Sequence, residues 1–185
     1  MKLFRLMTFG LAAILAAQPA SAQVSQSFQD WEFRIGTMDN IADTSCIAST
    51  RTARTGFFLV VTPSRESKPD AHIIFENSQW DIPRQRLDYR IRFDQNTWRM
   101  QGRGRGPAVV TGWSDLENFL DFMEDVASNQ GMVLMTQDED QLAAFSLAGS
   151  RDATIAIEDC VGQLNGVPLS SNASRNPFDA GTNPF

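Results

Sequence analysis

Seven arginines fall within one short stretch of this chain: Arg84, Arg86, Arg90, Arg92, Arg99, Arg103 and Arg105. The chemistry their type suggests is anion capture. A guanidinium stays charged at any physiological pH and offers paired N–H donors that match a phosphate or carboxylate. From 86 to 93 the pattern alternates strictly. Leu87, Tyr89, Ile91 and Phe93 take one side; Arg86, Asp88, Arg90 and Arg92 take the other. That is the signature of a half-buried antiparallel strand. Asp94-Gln95-Asn96-Thr97 reads as a turn and 98–103 as the returning strand, pairing Phe93 with Trp98 and Ile91 with Met100. In that register Arg92 faces Arg99 on the side away from the core. Like charges directly opposed destabilise a sheet unless something neutralises them. The neutraliser is either an acid of the chain itself, such as Asp88 or an acidic helix, or an external anion. The external candidates are an envelope polymer, a lipid A phosphate or an acidic partner. Arg86, Arg90, Arg92, Arg99 and Arg103 are therefore the candidate anion- or partner-binding residues.

Other reactive residue types lead less far. The one histidine, His72, stands beside Ile73, Ile74 and Phe75 and reads as a structural residue of a strand. No Gly-x-Ser-x-Gly, His-Glu-x-x-His or Ser-x-x-Lys is present. Asp121, Glu124 and Asp125 read as the polar side of a helix, and Asp138-Glu139-Asp140 as a hairpin tip; neither set has EF-hand spacing. Gly102-Arg103-Gly104-Arg105-Gly106 has no helix N-terminus behind it, as a phosphate loop requires, and reads as a bulged strand connection. No catalytic residue, metal site or cofactor is expected.

Two cysteines remain, Cys46 and Cys160. Their spacing fits neither a metal knuckle nor a Cys-x-x-Cys redox motif. In an oxidising compartment an isolated pair bonds, which removes a thiol nucleophile as well. The compartment follows from the start of the chain. Lys2 and Arg5 are followed by an apolar run, Leu6 to Ala17, and by Pro19-Ala20-Ser21-Ala22. This is the make-up of a secretory signal cut after Ala22. Its apolar run is too short to span a bilayer, and no transmembrane anchor is expected downstream. Without the signal the net charge is −8, from 14 cations and 22 acids. So acidic a chain does not coat nucleic acid by net charge.

Residues 23–164 are expected to form a single β-rich domain. Strands are predicted over 25–35, 45–52, 56–62, 71–75, 86–93, 98–103 and 108–111, then 131–136 and 141–147. Phe57-Phe58-Leu59-Val60-Val61 is apolar on both faces and belongs at the centre of a sheet. One long helix is predicted over 114–127. Ser114 and Glu117 form its capping box, and Leu116, Phe119, Leu120, Met123 and Ala127 form its apolar face. Ser150 caps a short helix over 151–161 that carries Cys160. The predicted class is mainly β, an antiparallel sandwich or barrel with one long and one short packed helix. Its disulfide ties an early strand to the last helix.

Residues 165–185 are rich in Ser, Asn, Pro and Gly and are expected to be disordered. They hold two Asn-Pro-Phe tripeptides, Asn176-Pro177-Phe178 and Asn183-Pro184-Phe185. Such turns resemble ligands of eukaryotic EH domains, and a free C-terminal Phe suits a PDZ groove.

The layout resembles the invasion-associated locus B family of exported bacterial proteins. The resemblance rests on Phe28-Gln29-Asp30-Trp31, on Cys46 in an early strand, and on a late helix and acidic turn followed by Phe145-Ser146-Leu147-Ala148-Gly149. It spans roughly residues 27 to 160. It implies a β-rich exported protein tied to the cell envelope or to host entry, with no catalytic constellation. The expected function is a non-enzymatic binding protein, periplasmic or secreted, from a Gram-negative bacterium. Its partner would be an envelope component or another protein. The alternative is a secreted effector whose tail engages a trafficking or PDZ-type partner; a hydrolytic enzyme stands third.

Overall fold

A computed structural model describes residues 25–38, 41–62, 70–113 and 115–165. They build one ten-stranded sheet, antiparallel at every pairing, and two helices. The mainly β class, with helices packed on the sheet, is the one expected. The sheet is not closed into a barrel. The signal segment, the loop over 63–69 and the Asn-Pro-Phe tail lie outside the described residues.

The strands are β1 (Ser25–Phe28), β2 (Trp31–Met38), β3 (Ile41–Arg51), β4 (Thr55–Thr62) and β5 (Asp70–Asn77), then β6 (Arg86–Arg92), β7 (Thr97–Arg105) and β8 (Ala108–Trp113). After helix α1 (Leu116–Ser128) come β9 (Gly131–Thr136), β10 (Gln141–Ser146) and helix α2 (Ser150–Asn165). In space the order is β1-β2-β3-β4-β5-β8-β7-β6-β9-β10. The meander β6-β7-β8 is thus set in backwards, with its last strand on β5 and its first on β9. The link from β5 to β6 must then cross the ends of β8 and β7. It does so pinned by its backbone: Asn77 N donates to Pro107 O at 2.8 Å, Ile82 N to Gly106 O at 2.8 Å and Gly104 N to Gln85 O at 2.9 Å.

The opening strand differs from expectation. It is two strands broken at Gln29 and Asp30, because Gln29 takes a left-handed φ of 53° and turns the chain. β4 is buried at all eight positions, as its two-sided apolar run predicts. Trp31, Phe57, Leu59, Ile73, Phe75 and Ile91 face the helices. On the opposite face Ile47, Phe58, Val60, Ile74 and Ala108 form a second, smaller apolar cluster. The sheet coils about the first cluster, so that Phe145 of β10 meets Phe57 and Phe75 with ring centroids 5.9 Å apart.

Asp115 caps α1, with its carboxylate accepting from Glu117 N at 3.0 Å and Asn118 Nδ2 at 2.8 Å. The expected cap, Ser114, lies outside the described residues. The buried stripe of α1 is Phe119, Phe122, Met123 and Val126, at the i, i+3, i+4, i+7 spacing of a helix face. Leu120 and Ala127 sit at its margin, so the face is rotated from the one expected. Phe122 is the hub, edge-on to Trp98 at 5.4 Å and tilted against Trp113 at 5.6 Å. Such aromatic pairs contribute about 0.5–1.5 kcal/mol each beyond burial.

The second helix is not the short one. α2 runs for 16 residues against 13 for α1. Ser150 does not cap it through its side chain; its buried hydroxyl donates to Val126 O of α1 at 2.7 Å and ties the helices together. The disulfide joins Cys46 of β3 to Cys160 of α2, with Cα atoms 6.0 Å apart. An early strand and the last helix are stapled, as the sequence predicts.

Candidate anion-binding site

The outer face of the β6–β7 hairpin carries the arginines. Its register is shifted by two residues from the one expected: Ile91 pairs with Trp98 and Tyr89 with Met100. The cause is the turn. Phe93 leaves the strand and its N–H donates to Asn96 O at 2.8 Å, so the connection is 93–96 and Thr97 already belongs to β7. A shift of two keeps every side chain on its face. It changes the partners, however. Arg92 faces Thr97, while Arg90 faces Arg99 and Arg86 faces Arg103. Two like-charge pairs therefore oppose each other where one was expected.

Arg90 has an internal neutraliser, and it is neither Asp88 nor the acidic helix. Its guanidinium pairs with the carboxylate of Glu139, on the β9–β10 loop. Glu139 is held there at φ 71°, inside a turn in which Asp140 N donates to Thr136 Oγ1 at 3.1 Å. Asp88 instead accepts from Gln101 Nε2 across the hairpin at 2.9 Å. The helix acid Asp125 faces the other way, taking Trp98 Nε1 at 2.6 Å and Asn96 Nδ2 at 2.8 Å. Among the described residues Arg86, Arg92, Arg99 and Arg103 have no carboxylate within 4.0 Å.

Arg86 and Arg103 belong to an open groove at the base of the hairpin. Arg84, Gln85, Gly104, Arg105 and Gly106 complete its lining. Arg84 and Arg105 extend the two rows because the pinned link prolongs β6 backwards beside β7. Arg90, Arg92 and Arg99 lie further toward the turn and do not line it. The glycines between the arginines serve the inner face. A Cβ on Gly102 would stand 2.7 Å from Val109 Cγ1, and one on Gly104 would overlap Ile82 and Pro83. Glycine at every second position thus lets β7 lie flat on its neighbours while Arg103 and Arg105 point out. The Gly-Arg run is a strand packed closely on one side, followed by a turn at Gly106 with φ 60°.

Beneath the hairpin the inner face is fixed by buried polar groups. Tyr89 OH lies 2.7 Å from Thr111 Oγ1, which itself donates to Gln101 O at 3.1 Å. With the threonine proton so engaged, Tyr89 is the donor. Burial pushes its ionisation well above the ordinary tyrosine value.

His72 stays apart from all of this. It stands on the outer face between Val60 and Gly112, with Nε2 3.8 Å from Asp70 Oδ1 and Nδ1 buried without a partner. Among the described residues no group of His, Cys, Asp and Glu is arranged to hold a metal ion. No described helix is long and apolar enough to cross a membrane. The tail residues Asn176, Pro177, Phe178, Asn183, Pro184 and Phe185 lie outside the described residues.

No protein-family model matches this chain, and no curated protein matches it in sequence. A solved structure does match in fold. The chain is similar to invasion associated protein b from Bartonella henselae, with a TM-score of 0.52 over 76% of this chain and 98% of that one. The two are 10% identical, so the likeness is one of fold. The resemblance read from the short motifs therefore holds at the level of architecture.

Proposed function

We propose that this is an exported, non-enzymatic binding protein, periplasmic or secreted, that engages an anionic partner through the outer face of β6–β7. The carrying observation is the pairing of Arg86 with Arg103 and Arg90 with Arg99 on a solvent-facing surface where, among the described residues, Glu139 is the one acid paired to an arginine. Opposed like charges cost the free protein stability and are neutralised when an anion sits across them. The disulfide is compatible with an oxidising compartment. The fold neighbour is an invasion-associated protein, which supports a role toward a host.

The test is capture from native envelopes at several salt concentrations. Wild-type protein should retain an acidic component, with capture falling as salt rises. Replacing Arg86, Arg90, Arg99 and Arg103 together with Gln should weaken capture and flatten its salt dependence. Capture that is indifferent to salt or to the quadruple variant would overturn the reading.

A further inference from the structure

Positive charge on the hairpin face is gathered in places rather than spread along it. Toward the turn, Arg90 is paired with Glu139. In the middle, Asp88 and Gln101 bond to each other across the strands and place a carboxylate between the two arginine pairs. At the base stand Arg84, Arg86, Arg103 and Arg105 around one groove, none with a carboxylate within 4.0 Å among the described residues. Arg86 is four residues from Arg90 along the strand, about 13 Å at the usual rise. An extended polyanion laid along the face would have to pass the Asp88 carboxylate. A compact anion seated at the base would not.

The lining also says how such an anion would be held. Three of the groove's backbone donors are committed: Gln85 N to Pro83 O at 2.7 Å, Gly104 N to Gln85 O at 2.9 Å and Gly106 N to Ile82 O at 2.9 Å. Recognition therefore falls chiefly to the guanidinium side chains, which line the groove from two strands and from the link. Gly106 carries no side chain, and a Cβ there would meet nothing within 4 Å, so the floor is open. Forked donors converging from both sides suit a tetrahedral, multiply charged group better than a single planar carboxylate. The protein as a whole is acidic, with a net charge of −6 for the full chain. Long-range attraction for diffuse anions is correspondingly weak, and close contact with concentrated charge must supply the affinity.

From this we infer that the groove at the base of β6–β7 is a binding site for a phosphate-bearing group, a phosphomonoester or diphosphate, carried on a lipid or on a soluble molecule. The inference rests on the proposed binding role and names the site and ligand chemistry within it.

The experiment titrates inorganic pyrophosphate into the full exported protein, followed by backbone amide shifts in NMR. Wild type should show saturable shifts centred on residues 84–86 and 103–106. The double variant Arg86→Gln/Arg103→Gln should weaken binding by at least about tenfold, as expected when charge-assisted forks are removed. Arg90→Gln/Arg99→Gln, at the other end of the face, should weaken it by less than about threefold, through the screened field alone. Thermal melts of both variants confirm the fold. Equal weakening by the two pairs, or no saturable shift, overturns the site. If pyrophosphate fails while envelope capture is still lost when Arg86, Arg90, Arg99 and Arg103 are replaced together, the groove is wrong and the broader binding role stands. Vesicles of phosphatidylcholine with and without phosphatidic acid then separate the sources. Flotation with the phosphatidic acid vesicles that is lost in Arg86→Gln/Arg103→Gln assigns a lipid phosphate. Pyrophosphate binding without flotation assigns a soluble one.

Discussion

Gly149 lies directly against the backbone of Phe28. A Cβ on Gly149 would overlap the Phe28 carbonyl oxygen and stand 2.7 Å from its carbonyl carbon, and the glycine itself takes φ 90°. At the same place Asp30 N donates to Ala148 O at 3.2 Å. Here the β1–β2 turn meets the start of α2, and the two ends of the coiled sheet are brought together. Gly149→Ala combines a left-handed backbone with an overlap that only a backbone shift relieves. It should cost about 2–4 kcal/mol, read as a lowered denaturant midpoint. A midpoint unchanged from wild type would show that this end of the sheet closes some other way.

Reduction of Cys46–Cys160 should destabilise the fold. The bridge closes a sequence separation of 114 residues. In the chain-entropy picture a loop of that size stabilises by roughly 4–5 kcal/mol. Thiol labelling of unfolded, unreduced protein should find no free cysteine, and the melting temperature should drop on adding reductant. Two labelled thiols would contradict the staple.

Tyr89 is the single tyrosine of the chain, so phenolate absorbance reports on it alone. Its ionisation is raised by burial in the fold. A group whose folded value is raised contributes stability that is fully present below its unfolded value, about 10, and lost as pH climbs above it toward the folded value. The native protein should therefore show little phenolate at a pH where unfolded protein is half ionised, and its unfolding free energy should fall with pH in that range. Tyr89→Phe should remove that part of the fall. A normal titration in the folded protein would place Tyr89 in contact with water.

Arg99 faces Arg90, whose charge Glu139 neutralises. Glu139→Gln should destabilise by less than ~1 kcal/mol, since Glu139 is exposed to solvent. The loss should shrink when Arg99 is also replaced with Gln, because the unneutralised repulsion is then gone. Arg99→Gln alone should leave the melting temperature unchanged or raise it slightly. Additive effects in the double-mutant cycle would mean the two arginines do not feel each other.

Much of the fold was legible along the chain. The strict alternation from Arg86 to Phe93 placed the arginines outward and the apolar residues inward, and both assignments hold because a strand's side chains alternate whatever its partner. The two-sided apolar run of β4 marked a central strand for the same local reason. The register of β6 on β7 was less accessible. It depends on whether Phe93 ends a strand or opens a turn, and one hydrogen bond to Asn96 decides that. The face of α1 was misread because Phe122 and Val126 are apolar in sequence just as Leu120 and Ala127 are. Only the position of Trp98 and Trp113 beneath the helix selects among them.

The amino-acid sequence by itself determined the local elements, the class of fold and the residues able to bridge or to bind an anion. Those follow from periodicity, side-chain chemistry and a lone pair of cysteines, all properties of neighbouring or countable residues. Tertiary structure alone decided that Glu139 neutralises Arg90, that Ser150 reaches Val126, and that Arg84 and Arg105 join Arg86 and Arg103 around one groove. Each of these depends on the reversed insertion of the β6-β7-β8 meander or on the coiling of the sheet. Both arise from burying one shared core, and the choice of which distant strands lie side by side leaves no mark in the short-range pattern of any one of them.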